Sequence, residues 1–225
     1  IIMSPPDTSI LSVIAIRMVM AITDNIDVSG GDIIIPGLRQ TNLRVESEAT
    51  DLATSIGAPY PLFTRFTFES MASGLSEVIL SEKPYPIKAL LVLGCNPVLT
   101  MPNTNKLGQA LEKLDLLVVI DIFMTDTAKM ADIVLPGTTF PERQDLRHWR
   151  GFGYSLVAAT NRVVEPVGKA MDEWQIWAEL GRKMGYGEYF PWDDIDELLN
   201  YLVTPSGFSL DQMKQNPSGV YYEEK

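Results

Sequence analysis

Two short runs, Ala89-Leu90-Leu91-Val92-Leu93 and Leu116-Leu117-Val118-Val119-Ile120, constrain the fold of this chain more than any other feature. Neither alternates apolar with polar residues, so each expects burial on both faces. Strands of that kind lie inside parallel sheets covered by helices. Between them Leu107, Ala110, Leu111 and Leu114 recur at helical spacing, which supplies the crossover that parallel neighbours require. A short helix near Thr125 to Met130 leads to a third strand, Asp132 to Leu135, stopped by Pro136. The fold class is therefore α/β, a mostly parallel sheet with helices on both faces. Ligands of such sheets sit just beyond the carboxyl ends of the strands. The first two runs end in Gly94-Cys95-Asn96-Pro97 and in Asp121, so those turns are the first candidates for a site.

The flanks are less regular. Asp7, Thr8 and Ser9 offer caps for a helix through Ile10, Leu11, Ile14, Val19 and Ile22, whose apolar residues nearly ring it and ask for cover on most sides. The helix stops before Asp24, and Gly30-Gly31 marks a tight turn leading to a short strand from Asp32 to Ile35. Residues 36 to 66 show no sustained period. Phe68, Met71, Leu75, Val78 and Ile79 recover helical spacing, punctuated by Pro84 and Pro86. From Gly137 to Glu165 the chain again lacks a period but is rich in arginine: Arg143, Arg147, Arg150 and Arg162. Asp172 caps a helix with Trp174, Trp177, Leu180 and Met184, closed by Gly185. Asp193 and Asp194 begin another, with Ile195, Leu198, Leu199 and Leu202 on one face. From Thr204 the tail is turn-rich and polar. The expected organisation is a helical and irregular segment over 1–86, an α/β domain over 87–203 and a linker over 204–225.

Composition narrows function mainly by exclusion. The 225 residues carry a formal charge of -11. That field repels phosphate backbones, and no basic patch offsets it, so nucleic acid is not an expected partner. A single cysteine, Cys95, cannot form an internal disulfide, an iron–sulfur cluster or a cysteine-rich zinc site. The single histidine, His148, argues against a histidine-centred triad or metal site. No uncharged stretch approaches the ~20 residues needed to span a bilayer. The start, Ile1-Ile2-Met3, has neither an initiator methionine nor a basic n-region, and is read as an excision boundary that leaves the compartment open.

Four stretches together resemble the molybdopterin oxidoreductase family, which includes dimethyl sulfoxide reductase, formate dehydrogenase, nitrate reductase and polysulfide reductase. They are Asn25-Ile26-Asp27-Val28 with Gly30-Gly31; Ile87 through Gly94-Cys95-Asn96-Pro97, with Pro102-Asn103; Val118-Val119-Ile120-Asp121 through Thr125-Asp126-Thr127-Ala128 to Ala131-Asp132-Ile133-Val134-Leu135-Pro136 and Glu142; and Pro166 through Asp172, Trp174 and Ile176 to Leu180 and Gly185. The third is the most specific. The order and spacing of all four, across roughly residues 8 to 202, carry the resemblance. It implies a Rossmann-like sheet belonging to one of the family's nucleotide-binding domains. The parent enzyme it implies binds two molybdopterin guanine dinucleotides around molybdenum or tungsten, with a 4Fe-4S cluster. The iron–sulfur motif, the segment supplying the metal ligand and the C-terminal β-barrel are not in this sequence. After Glu142, where many members continue differently, this chain has Arg143-Gln144-Asp145-Leu146-Arg147, which leans toward the polysulfide/thiosulfate reductase branch.

The resemblance places cofactor contacts at Asn96, the backbone of Ile120, Asp121, Arg143 and Asp172. Each also has a structural reading. Asn96 is a turn residue before Pro97, whose ring favours an extended conformation. Asp121 and Asp172 are possible helix caps, and Arg143 a solvated loop arginine. As ligands, an amide would bond phosphate, ribose or a base edge, a carboxylate would accept from ribose hydroxyls or guanine N–H groups, and a guanidinium would take pyrophosphate bidentately. Thr125, Asp126 and Asp132 read as helix-start and strand-edge residues, His148 as a loop residue, and Trp174 and Trp177 as core packing. No catalytic residue and no metal ligand can be named. The expected partners are the remaining domains of the parent chain and an electron-transfer iron–sulfur subunit, and the isolated chain is expected to be empty of cofactor and inactive. Two alternatives stand beside this: a stand-alone Rossmann-type nucleotide-binding enzyme, which would want more glycines than Gly94 alone supplies, and a non-catalytic assembly module derived from the same fold.

Overall fold

The structure is a computed structural model describing residues 6–35, 37–43, 55–61, 64, 70–151 and 154–222; side chains at 6–10 and 151 are not described. It divides into two compact units, residues 1–32 with 46–135, and 33–45 with 136–225.

The first unit holds the parallel sheet. Strands β1 (Ala89–Leu93), β2 (Leu116–Asp121) and β3 (Ile133–Pro136), the last ending at the unit boundary, lie in the order β1-β2-β3. β1 and β2 run parallel in the register Leu91↔Val118 and Leu93↔Ile120. Paired residues share a face, so Leu90, Val92, Leu117 and Val119 point one way. They pack on Leu107 and Leu111 of the crossover helix Thr104–Glu112 and on Ala128. On the opposite face Val118 and Ile120 are also buried, whereas Leu91 and Leu93 stay 37% and 36% exposed. β2 therefore behaves as the doubly covered strand its sequence expects, and edge strand β1 does so on one face only. The α/β class and the parallel sheet stand as expected.

Among the described residues this unit also holds the helices α1 (Pro6–Ile22), α2 (Leu75–Ser81), α3 (Pro97–Thr100), α4 (Thr104–Glu112) and α5 (Asp126–Lys129). α1 begins at Pro6, so Asp7, Thr8 and Ser9 lie within its first turns and do not precede it. Its Leu11, Ile16, Met18, Val19 and Ile22 are exposed, without the cover their pattern asks for. α2 starts at Leu75 after a 3-10 turn at Ala72–Gly74; Phe68 lies outside the described residues. The strand expected from Asp32 to Ile35 does not form. Asp32 instead makes one isolated bridge to Ile26.

The second unit is built on an antiparallel sheet, β4 (Asp145–Gly151), β5 (Tyr154–Thr160) and β6 (Val220–Tyr222), ordered β4-β5-β6. This corrects the reading of 137–165 as irregular and moves His148 from a loop onto β4, where its ring bonds Ser155 Oγ at 2.7 Å. Every second residue of β5, Ser155, Val157 and Ala159, is buried. Against them pack Leu199 and Val203 of α7 (Ile195–Val203), Leu210 and Met213 of α8 (Leu210–Gln215), and Tyr222. The stretch from Thr204, read as a polar tail, thus contributes three core side chains. Helix α6 (Glu173–Lys183) precedes α7. The 33–45 segment is tied to α7 by Thr41, whose N–H donates to Leu202 O at 2.9 Å and whose hydroxyl donates to Tyr201 O at 2.6 Å.

Candidate functional site

In the first unit the register fixes the site. Because Leu93 pairs with Ile120, and Gly94 N–H donates to Ile120 O at 2.9 Å, the turns after β1 and β2 emerge side by side at the carboxyl edge of the sheet. Gly94 turns the chain there with φ +56, a conformation glycine adopts without steric cost. Asn96 and Asp121 both belong to this edge. The Cys95 thiol, in the turn after β1, is pushed up in pKa, first by burial and then by the charge of Asp121.

The local bonds decide what each group has left to offer. Asn96 does not cap α3 with its side chain. Its Oδ1 instead accepts from Thr127 Oγ1 at 2.7 Å and Thr127 N at 3.2 Å, stapling the turn after β1 to the start of α5. Thr127 is buried and also accepts from Val98 N at 3.1 Å. With Oδ1 occupied, the amide of Asn96 has its N–H donors to give, which suits an oxygen acceptor such as phosphate or ribose and not a base-edge donor. Asp121 is no helix cap. Its Oδ1 accepts from Phe123 N at 2.9 Å in an Asx turn, while Thr125 Oγ1 caps α5 by accepting from Ala128 N. Ile120 is buried and its carbonyl serves Gly94, so only a second lone pair is available there. Asp132 holds the strand edge, its Oδ2 accepting from Leu117 N at 2.7 Å.

In the second unit the polar groups gather around Asp172. The isolated parallel bridge Gly137↔Met171, with Met171 N donating to Pro136 O at 3.0 Å, sets the next residues, Thr138 and Asp172, beside each other. Both are buried, Asp172 at 4% exposure, and Thr138 Oγ1 donates to Asp172 Oδ1 at 2.6 Å. Asp172 begins α6 with its backbone carbonyl, which takes Gln175 N and Ile176 N, but its carboxylate makes no cap bond. Oδ2 lacks any hydrogen-bond partner. Arg162 Nη2 stands 3.6 Å away, close enough to balance charge and too far to be a hydrogen bond.

Two further buried donors of this unit are likewise unpartnered, Arg143 Nε and Trp174 Nε1. Arg143 is not a free loop cation, because its Nη1 donates to Glu173 Oε1 at 3.2 Å. Trp174 and Trp177 are not core residues either. Trp174 lines a cavity of about 340 Å³ with Gln144, Arg162 and Asp194. Trp177 lines an apolar groove of about 770 Å³ with Leu180, Met184, Tyr189, Trp192 and Tyr201. Glu142 is buried and fully engaged, with Oε2 accepting from Thr139 N and Oγ1, and Oε1 from Val167 N. Those bonds, the Thr139 hydroxyl first, hold its carboxyl below the usual carboxylate range. Among the described residues no group of three or more His, Cys, Asp or Glu is placed to hold a metal ion.

Fold and site first define a class: a parallel α/β protein with polar side chains at the strands' carboxyl ends and a buried carboxylate oxygen left unspent. Residues 17–183 match the model of the molybdopterin oxidoreductase family, and the chain belongs to that family. It is 34% identical over 170 residues to the molybdopterin-containing subunit of thiosulfate reductase from Salmonella typhimurium, covering 73% of this chain and 22% of that protein. It is 32% identical over 168 residues to the alpha subunit of F420-dependent formate dehydrogenase from Methanocaldococcus jannaschii, covering 72% and 24%. Among solved structures it is similar to acetylene hydratase from Pelobacter acetylenicus, with TM-score 0.61, 36% identity, and coverage of 70% of this chain and 21% of that one. The chain thus spans between a fifth and a quarter of the length of these relatives. Among the described residues no helix is long and apolar enough to cross a membrane.

Proposed function

We propose that this chain is a segment of the catalytic subunit of a molybdenum or tungsten oxidoreductase and contributes to binding one molybdopterin guanine dinucleotide. The pterin-bound metal supplies the two-electron chemistry, and protein groups position the cofactor. In the first unit the N–H donors of Asn96 suit phosphate or ribose oxygens, the free oxygen of Asp121 suits ribose hydroxyls, and the backbone of Ile120 offers a second lone pair. In the second unit Asp172 is assigned the guanine edge and Arg143 the phosphates. The observation that carries the reading is the set of unpartnered buried atoms, Asp172 Oδ2, Arg143 Nε and Trp174 Nε1, all within the family match. Buried polar atoms are rarely left unmatched, and one acceptor with two donors complements a polar ligand. The 4Fe-4S cluster, the metal ligand, the closing domains and an iron–sulfur electron-transfer subunit belong to the rest of the assembly. A thiosulfate- or polysulfide-type substrate is favoured by Arg143-Gln144-Asp145-Leu146-Arg147 and by the resemblance to thiosulfate reductase.

The test is equilibrium titration of the 225-residue chain with GMP and AMP. GMP is expected to bind weakly but at least about tenfold tighter than AMP, since two hydrogen bonds to a carboxylate separate the two base edges. Asp172→Asn should erase that preference. Equal binding of the two nucleotides by the wild-type chain would remove the reading.

A further inference from the structure

We propose that Thr138 is the positioning residue for Asp172, holding its carboxylate so that Oδ2 is the oxygen presented to the ligand; this rests on the guanine assignment above. A carboxylate at the first turn of a helix ordinarily bends back to accept the free N–H groups there. Asp172 starts α6 and does not do so. The reason is on the other side: its Oδ1 is taken by the Thr138 hydroxyl at 2.6 Å, and both side chains are buried at 4% exposure. A short bond to a charged acceptor away from solvent is among the stronger hydrogen bonds a hydroxyl makes. It is set by backbone and not by chance rotamers, because the Gly137↔Met171 bridge fixes the two residues side by side.

The second oxygen follows from the first. With Oδ1 clamped, the carboxylate plane cannot turn to bring Oδ2 onto the helix N–H groups, and Oδ2 is left with no hydrogen bond. Arg162 is its ion-pair partner. The guanidinium stands 3.6 Å from Oδ2 and 3.5 Å from the exposed Glu165, and its side chain is itself 37% exposed. Neither contact is a strong tether, so Arg162 balances the buried charge while leaving the lone pairs unspent. Moving it aside is the route to Oδ2. Threonine supplies the donor with little rotamer freedom, since branching at Cβ stiffens χ1.

The experiment compares Thr138→Val, which keeps shape and removes the hydroxyl, with Thr138→Ser, which keeps the hydroxyl. Each variant of the full chain is titrated with GMP and AMP and its melting temperature is recorded. Thr138→Val should fold yet lose most of the preference for GMP, about tenfold or more, while AMP binding stays within about twofold. Thr138→Ser should restore the preference to within about threefold of wild type. A Thr138→Val chain that retains the wild-type GMP preference overturns the proposal, whatever its melting temperature, and leaves the Asp172 assignment standing if Asp172→Asn has abolished that preference. A Thr138→Ser chain that folds but loses the preference overturns it equally, since the hydroxyl is then not the cause. If the wild-type chain does not distinguish GMP from AMP, or if Asp172→Asn leaves the preference intact, the guanine assignment itself falls and this inference falls with it.

Discussion

Glu142 shows how a residue far from any catalytic role can matter to a site. Its carboxylate closes a capping box with Thr139 and accepts from the backbone of Val167, so it joins the two ends of the segment that carries Arg143, β4 and β5. Its folded pKa is depressed, so the deprotonated form is the one the fold favours. The stabilisation is therefore complete above the ordinary carboxylate range and is lost as pH falls through the folded value. Glu142→Gln should lower the melting temperature at neutral pH, and the gap to wild type should close as the solution is acidified below the usual glutamate range. Parallel melting curves across that range check this; a gap that stays constant would mean that charge is not the cause. Thr138 and Thr127 are equally decisive, and nothing in the sequence marked the hydrogen bonds they make. A threonine in an aperiodic loop, or one residue into a short helix, carries no mark of the carboxylate or amide that tertiary structure brings to it.

Among elements, β1 and β2 were legible and β4 and β5 were not. β2 is apolar from Leu116 to Ile120 and buried on both faces, so its sequence and its environment say the same thing. In β5 the inward residues are Ser155, Val157 and Ala159, while Leu156 and Ala158 face the other way. The period of two is present in burial and absent in hydrophobicity. β4 is harder still, because Trp149 points outward at 64% exposure while the inward His148 is satisfied by Ser155. Helix α6 offers a test at this scale. A Cβ on Gly181 would lie 2.3 Å from Phe190 Cε2, so the helix and the aromatic segment after it approach only because residue 181 has no side chain. Gly181→Ala should destabilise the chain by about 1–3 kcal/mol, the usual cost of overpacking, despite alanine's better helix propensity. Urea denaturation measures it, and an unchanged or higher midpoint would show that Phe190 moves away freely.

At the scale of the whole molecule, family membership is secure while the chain spans at most about a quarter of the length of the relatives described. One cysteine and one histidine cannot assemble a four-thiolate cluster. The purified chain, assayed alone with reduced viologen dye and thiosulfate or with oxidised dye and formate, is expected to show no rate above the enzyme-free blank. Dye turnover by the chain without any added domain or subunit would overturn that. What the sequence determined by itself was the parallel α/β class, the family and the turns at Asn96 and Asp121, because buried parallel strands write their environment into continuous apolar runs and their register places the turns. Only the tertiary structure decided that Asn96 spends its oxygen on Thr127, that Thr138 holds Asp172, and that an antiparallel sheet occupies the arginine-rich stretch. Those outcomes depend on which partner meets a polar atom across the fold, and hydrogen bonds between residues 31 and 34 apart leave no period along the chain.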